Sequence, residues 1–306
     1  MPLVANTDLP SFARLSQEGE TVISRDYALH QDIRELHIGL LNMMPDKALE
    51  ATERQFFRLV GESNQIAQFY VHPFTLKEIS RTAQGQAHVG RYYADIDAIK
   101  EQGLDALIIT GANVIGPELS EQSFWKPLKA FTEWAYENVT STLCSCLATH
   151  ALLEFRYGLK RRPLPEKRWG VYPHRVMDMT HPLVTGVNTR FDVPHSRYNQ
   201  VDRAQFEQAG LEILVESEEA GVHLAVSEDG GRSFRKVSRA PIVGGSRRAA
   251  RKAASLRVRS AWSHRDQPLP AAGGLIPSVA GTAPSARGNA ASIPGMKLRP
   301  PAAPAT

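Results

Sequence analysis

The sequence predicts an α/β fold, a doubly wound and mostly parallel sheet with helices on both faces, followed by a basic tail without regular structure. Three observations carry this. Short apolar runs alternate with stretches of helical spacing, as parallel βα units require. Hydrophobic residues are 42% and charged residues 22% of 306, ordinary for a globular protein with an ample core. Beyond Arg235 both patterns stop.

In chain order, residues 36–43 (Leu-His-Ile-Gly-Leu-Leu-Asn-Met) form an apolar run ended by Pro45 and read as a buried strand. Pro45 and Asp46 open a helix whose apolar positions are Leu49, Phe56, Leu59 and Val60. Residues 66–71 are a second strand, and residues 104–110 a third, stopped by Gly111. Over residues 122–138, Phe124, Leu128, Phe131, Trp134 and Ala135 share one helical face. Residues 141–146 are a fourth strand, running directly into an apolar helix over residues 147–155. Later strands are expected over residues 212–216 and 222–226. There are no internal repeats.

From Val237 to Thr306 the chain is dominated by Ala, Arg, Pro, Gly and Ser, with Trp262 its one aromatic residue. Such a composition buries too little apolar area to offset chain entropy, so residues 237–306 are expected to be disordered and residues 1–236 to form the domain. The net charge of +4 divides at the same place. Eleven Lys and Arg against Asp266 alone give the tail +10 and leave the body at −6. The basic pI therefore belongs to the tail and is poor evidence that the body binds nucleic acid.

No apolar run approaches the roughly 18–20 residues that cross a bilayer, and the N-terminus lacks the pattern of a secretory signal. Two cysteines, Cys144 and Cys146, make no disulfide framework and fit a reducing compartment. A cytoplasmic location is expected.

The sharpest local feature is Thr140-Ser-Thr-Leu-Cys-Ser-Cys-Leu-Ala-Thr-His150, where a strand runs into a helix with Cys146 at the junction. Sites in open α/β sheets lie at the carboxyl ends of strands. A thiol there meets the positive end of the helix dipole, which favours the thiolate, and nearby N–H groups can stabilise an oxyanion. The bland alternative is a small core cysteine, which is how Cys144 reads. His150, four residues beyond Cys146, shares its helical face but reads as packing against the sheet. His174, His181, His195 and His223 show no metal-ligand spacing, so no metal is expected.

Several stretches resemble the homoserine O-acyltransferase (homoserine O-succinyltransferase) family of the class I glutamine amidotransferase-like fold, which has a flavodoxin-like sheet. They are Ala28-Leu-His-Gln-Asp-Ile-Arg, Ile38-Gly-Leu-Leu-Asn-Met-Met-Pro-Asp, Thr52-Glu-Arg-Gln-Phe and Ile109-Thr-Gly-Ala. Further on come residues 134–142, Leu164-Pro-Glu-Lys-Arg-Trp-Gly-Val-Tyr, Pro194-His-Ser-Arg and Glu216-Ser-Glu-Glu-Ala-Gly-Val. They fall in the family's order over roughly residues 10–230. The resemblance implies a ping-pong transfer in methionine biosynthesis. A cysteine takes the acyl group from an acyl-CoA and passes it to the homoserine hydroxyl. It places the nucleophile at Cys146 and substrate contacts at Lys167 and Ser196. L-homoserine and acyl-CoA are then the partners, with CoA a co-substrate and no cofactor, no membrane and no specific nucleic acid. A homodimer is left open.

Two departures matter. After the third strand the family carries Gly in succinyl-users or Glu in acetyl-users, in a loop associated with donor choice. Here Ile115 holds that place, with Asn113 and Gly116 beside it. The missing Glu inclines the reading to succinyl-CoA, with acetyl-CoA as the alternative. Second, the family's base is the His of a Gly-His-Pro-Glu-Tyr segment, and this chain reads Lys236-Val-Ser-Arg-Ala-Pro-Ile-Val there. The only later histidine, His264, is followed by Arg and Asp. One set of codons for residues 237–241, read a nucleotide later, gives Phe-Gln-Gly-His-Pro. The tail is therefore expected to come from a shifted frame, and the chain to be weakly active or inactive. Two other readings compete: a non-catalytic protein whose Arg-rich tail binds an anionic partner, and a glutamine amidotransferase sharing the thiol at a strand–helix junction.

Overall fold

Alternation along the central strands decides the architecture. A computed structural model describes residues 3–227 apart from Gln65, Ile115 and Pro117. All of these belong to the first of two units, Met1–Trp262; the second, Ser263–Thr306, lies outside them. So does the expected tail from Val237. The elements are β1 (Leu3–Ala5), α1 (Pro10–Gln17), β2 (Val22–Ser24), α2 (Arg25–Leu29), β3 (Glu35–Leu41), α3 (Asp46–Glu62), β4 (Gln68–Phe74), α4 (Ala83–Tyr92) and α5 (Ile96–Gln102). They continue with β5 (Ala106–Ile109), α6 (Trp125–Asn138), β6 (Ser141–Cys144), α7 (Leu147–Tyr157), β7 (Arg162–Val176), β8 (Arg190–Gln200), α8 (Arg203–Gln208), β9 (Leu211–Ser217) and β10 (Gly221–Ser227).

Six strands make one parallel sheet in the order β2-β1-β4-β3-β5-β6. Successive side chains point to opposite faces, and both faces are covered. Ile38 and Leu40 of β3, Phe69 and Val71 of β4 and Ile108 of β5 pack with Phe12 and Leu15 of α1 and Phe57 of α3. Leu41, Phe74, Leu107 and Ile109 face the other way, onto Ile99 of α5, Leu128, Phe131 and Ala135 of α6, and Leu147, Ala148 and Ala151 of α7. This is the expected doubly wound α/β sheet. Its order reverses beside β3, and such a reversal opens a crevice at the carboxyl ends of the strands.

The expected apolar stripe of α3 holds at Leu49, which is buried, and at Phe56 and Val60, which pack against the core, but fails at Leu59. Leu59 is 62% exposed, and the buried positions are Leu49, Thr52, Glu53 and Phe57. Glu53 is fully enclosed because its carboxylate is satisfied from three sides. It accepts from Ser11 Oγ (2.5 Å) and Tyr93 Oη (2.7 Å) and pairs with His88 Nε2 (2.8 Å). Hydropathy cannot register a carboxylate buried by its hydrogen bonds.

The larger departure is a second sheet, antiparallel and in the order β10-β9-β7-β8. Its strands β7 and β8 were read only as motif-bearing segments. Pro163, Pro165, Pro173 and Pro194, with dense charge, disguise them. Phe206 of α8, Ile213 of β9 and Val222 of β10 form a cluster with Leu153 of α7. Helix α7 thus packs into the core of both sheets, through Leu147, Ala148 and Ala151 on one side and Leu153 on the other. It ends on Gly158 in the left-handed conformation (φ 68°), where Leu159 N–H returns to the Leu153 carbonyl (3.1 Å). That turn delivers the chain into Arg161 and β7. Among the described residues no helix is long and apolar enough to cross a membrane.

Candidate active site

Cys146 is the one non-glycine residue with positive φ among the described residues (φ 56°, ψ −116°). The strand's hydrogen bonding persists to Ser145, whose N–H donates to the Ile109 carbonyl (2.9 Å). The helix begins at once, with Thr149 N–H donating to the Cys146 carbonyl (3.1 Å). No residue is left for a gradual turn, so the backbone reverses at Cys146 and leaves its side chain exposed. Such a conformation stores about 1–3 kcal/mol and persists only where its surroundings impose it. Thr149 helps impose it, its Oγ1 donating to the Cys144 carbonyl (2.8 Å). Cys144 itself packs against the core, and burial pushes its thiol up to about 12. It stays protonated.

Facing the thiol is Gly111, at the end of β5. A Cβ there would lie 3.3 Å from Cys146 Cβ and 3.4 Å from Sγ. The glycine therefore leaves open the space beside the sulfur. Thr110 anchors this loop at the sheet's reversal point, its Oγ1 accepting from Met43 N–H (2.9 Å). Asn113 and Gly116 of the same loop are exposed, whereas Ile115 lies outside the described residues.

Two guanidinium groups, Arg161 and Arg197, lie close enough for the Cys146 charge to act on them. His150, one turn into α7, sits among the same groups. Burial, then Arg161 and Arg197, push its imidazole down to about 4. It is neutral at physiological pH and a weak base. Its Nδ1 has no hydrogen-bond partner among the described residues, and neither does the buried Arg197 Nε.

The structure sets Lys167 and Ser196 on one face of their hairpin, the face opposite Arg197. Trp169 pairs with Ser196 and Arg168 with Arg197 in the β7–β8 register, so alternate residues point oppositely. Lys167 Nζ lies 4.4 Å from the Trp169 ring centre and 5.4 Å from that of Tyr198. Both rings are largely exposed, at 70% and 63%. Lys167, Trp169, Ser196 and Tyr198 share the outward face, while Arg168, His195 and Arg197 share the inward one.

The histidines taken as scattered are not. His174, His195 and His223 place ring nitrogens within 4.8 Å of one another, across three strands no spacing rule connects. Their hydrogen bonds fit a metal poorly. Arg197 Nη1 donates to His195 Nδ1 (2.6 Å), so the neutral ring carries its proton on Nε2, directed at His174 Nε2 (3.1 Å). His174 Nδ1 in turn donates to the Tyr172 carbonyl (2.8 Å). Ligation through His195 Nε2 would need that proton removed and Nδ1 protonated, against the guanidinium. The His174–His195 chain instead holds Arg197, whose Nη2 also donates to the Ala220 carbonyl. Arg161 has no signal in the sequence, and Gly111 and Arg197 stand there only as a strand stop and as part of a motif, not as site residues. Period-two alternation across Pro194-His-Ser-Arg would have separated Arg197 from Ser196 had the segment been read as a strand.

The sequence profile of homoserine O-succinyltransferase matches residues 2–237. The chain belongs to the homoserine O-succinyltransferase family. It is 72% identical over 229 residues to the homoserine O-succinyltransferase of Nitrosococcus oceani, covering 75% of this chain and 64% of that one. It is 70% identical over 232 residues to that of Allochromatium vinosum, covering 76% and 65%. To the Thiobacillus denitrificans family member it is 64% identical over 233 residues, covering 76% and 67%. The match thus spans about two thirds of the length of these family members. Among solved structures, the glutaminase domain of Trypanosoma brucei CTPS aligns with a TM-score of 0.43 at 13% identity, covering 77% of this chain and 96% of that one.

Proposed function

We propose that this family member transfers a succinyl group from succinyl-CoA to the hydroxyl of L-homoserine through Cys146. The thiolate attacks the thioester carbonyl, the bond to CoA sulfur breaks, and CoA leaves as the thiol once protonated. The homoserine oxygen then attacks the Cys146 thioester, loses its proton and releases the cysteine sulfur. The single observation that carries this is the forced turn at Cys146, facing Gly111 and beside two guanidinium groups, in a chain of this family. Ala148 and Thr149 N–H are engaged by the Ser145 and Cys146 carbonyls, so the N–H of Leu147, at the start of α7, is the group that would meet the oxyanion.

Lys167 and Ser196 are retained as substrate contacts on the strength of the resemblance. Their shared face, lined by Trp169 and Tyr198, supports their acting together. Transfer onto homoserine is the slow half. An alcohol needs a general base, His150 is a poor one, and the sequence from Lys236 onward has no His-x-Glu pair.

The test mixes the 306-residue chain with succinyl-CoA or acetyl-CoA, with and without homoserine, and follows CoA release in a rapid-mixing instrument. One equivalent of CoA should appear in a burst from succinyl-CoA, with O-succinylhomoserine forming much more slowly. Absence of a burst from either donor would overturn the acyl-enzyme reading. A steady-state rate as fast as the burst would overturn the slow second half, and a burst from acetyl-CoA alone would reassign the donor.

A further inference from the structure

Arg168 and Arg197 stand directly opposite each other in the β7–β8 register, on the inward face. Like charges in that relation repel, and burial of Arg197 adds to the penalty. The usual remedy is a carboxylate, and none is supplied among the described residues. Among the described residues Arg168 donates to Gln200 Oε1 (2.5 Å), and Arg197 to His195 Nδ1 and the Ala220 carbonyl, all neutral acceptors. The surface arginines nearby are treated differently: Arg162 is paired with Asp202 and Arg203 with Glu216. Arg197 Nε, buried and without a hydrogen-bond partner among the described residues, adds a further donor. The His195–His174 chain cannot neutralise the guanidinium, but it fixes where it lies.

We propose that Arg168 and Arg197 form a carboxylate-binding site beside Cys146, which takes the free carboxylate of a dicarboxylic acyl group carried on that sulfur. The inference rests on the acyl-enzyme reading above and adds to it the basis of donor choice. A succinyl thioester bears its second carboxylate two methylenes from the reacting carbonyl, whereas an acetyl group bears none. An acyl carboxylate would satisfy Arg197 Nε and relieve the like-charge pair. The α-carboxylate of the acceptor amino acid offers the same chemistry, and the test separates the two.

The test is the rate of Cys146 acylation, followed by intact-protein mass spectrometry, for the full chain and the variants Arg197→Leu, Arg197→Lys and Arg168→Gln. Each is given succinyl-CoA or acetyl-CoA without homoserine, then homoserine is titrated against the pre-loaded enzyme. Losing a charge-assisted contact should lower the succinyl-to-acetyl rate ratio about tenfold to a hundredfold in Arg197→Leu. Arg197→Lys should recover part of it, and Arg168→Gln, which gives up one neutral hydrogen bond, should shift the ratio the same way. An unchanged ratio together with an unchanged half-saturating homoserine concentration in every variant would overturn the site. A ratio that stays fixed while the homoserine requirement rises would overturn the acyl assignment and give the two arginines to the acceptor's carboxylate. If the parent chain loads neither donor, the acyl-enzyme reading fails, and the inference fails with it.

Discussion

At Cys146 geometry and reactivity are in tension. Its backbone occupies a region glycine enters freely and L-residues avoid, and its exposed side chain contributes little packing. Cys146→Gly should therefore relieve strain of about 1–3 kcal/mol, less roughly 0.5–1 kcal/mol for glycine's greater freedom in the unfolded chain. The thermal midpoint should rise by a few degrees while acyl loading disappears, and calorimetry alongside mass spectrometry would show both. A fall in the midpoint would mean that the turn is not strained. Gly111→Ala tests the facing wall. Its Cβ would sit 3.4 Å from Sγ, within the space the incoming carbonyl needs. Loading should slow about tenfold or more with the fold intact, because small displacements at a reacting centre are expensive in rate. Equal loading rates would show that the carbonyl approaches from elsewhere. Of these two residues the sequence pointed to Cys146 through its place at a strand–helix junction. It was silent on Gly111, whose role depends on proximity to a residue 35 positions away.

The decisive element is α7, because it belongs to both sheets. Leu153 is fully buried in the cluster it forms with the antiparallel sheet. Leu153→Ala should destabilise the protein by about 2–5 kcal/mol in chemical denaturation. It should also slow loading in molecules that remain folded, since it loosens the seat of the hairpin that carries Arg197. Loss of stability with loading unchanged would show that the hairpin is held by other contacts. The parallel sheet was legible because its strands are buried on both faces and read as continuous apolar runs, residues 36–43 and 104–110 most clearly. The antiparallel sheet was partly hidden. Only β9 and β10 carry the apolar alternation, while the exposed face of β7 and β8 is Lys, Trp, Ser and Tyr among prolines. The α1–α3–α4 contact was hidden for another reason. It is organised by Glu53, and its hydrogen bonds to Ser11, His88 and Tyr93 are tertiary.

Across the molecule, partly buried imidazoles are expected to shape the response to acid. His150 and His195 are held down to about 4, in both cases chiefly by burial and then by neighbouring guanidinium groups. The unfolded chain, titrating near 6.5, binds the more protons between these values, so stability rises with pH across that window. The contribution is fully present above about 6.5 and is lost as pH falls toward 4. Urea midpoints measured from pH 7 down to about 4 should fall, and a His150→Gln, His195→Gln double variant should fall less steeply over the same range. A parallel decline in both proteins would place the acid sensitivity in other groups. Cys146, held in its forced turn, is the proposed acyl carrier. Its most direct test is to load the chain with succinyl-CoA, quench, digest and locate the succinyl group by mass spectrometry on the peptide holding both cysteines. The account predicts a thioester on Cys146 alone, absent from Cys146→Gly. A succinyl group on Cys144, or one that survives in that variant, would contradict it.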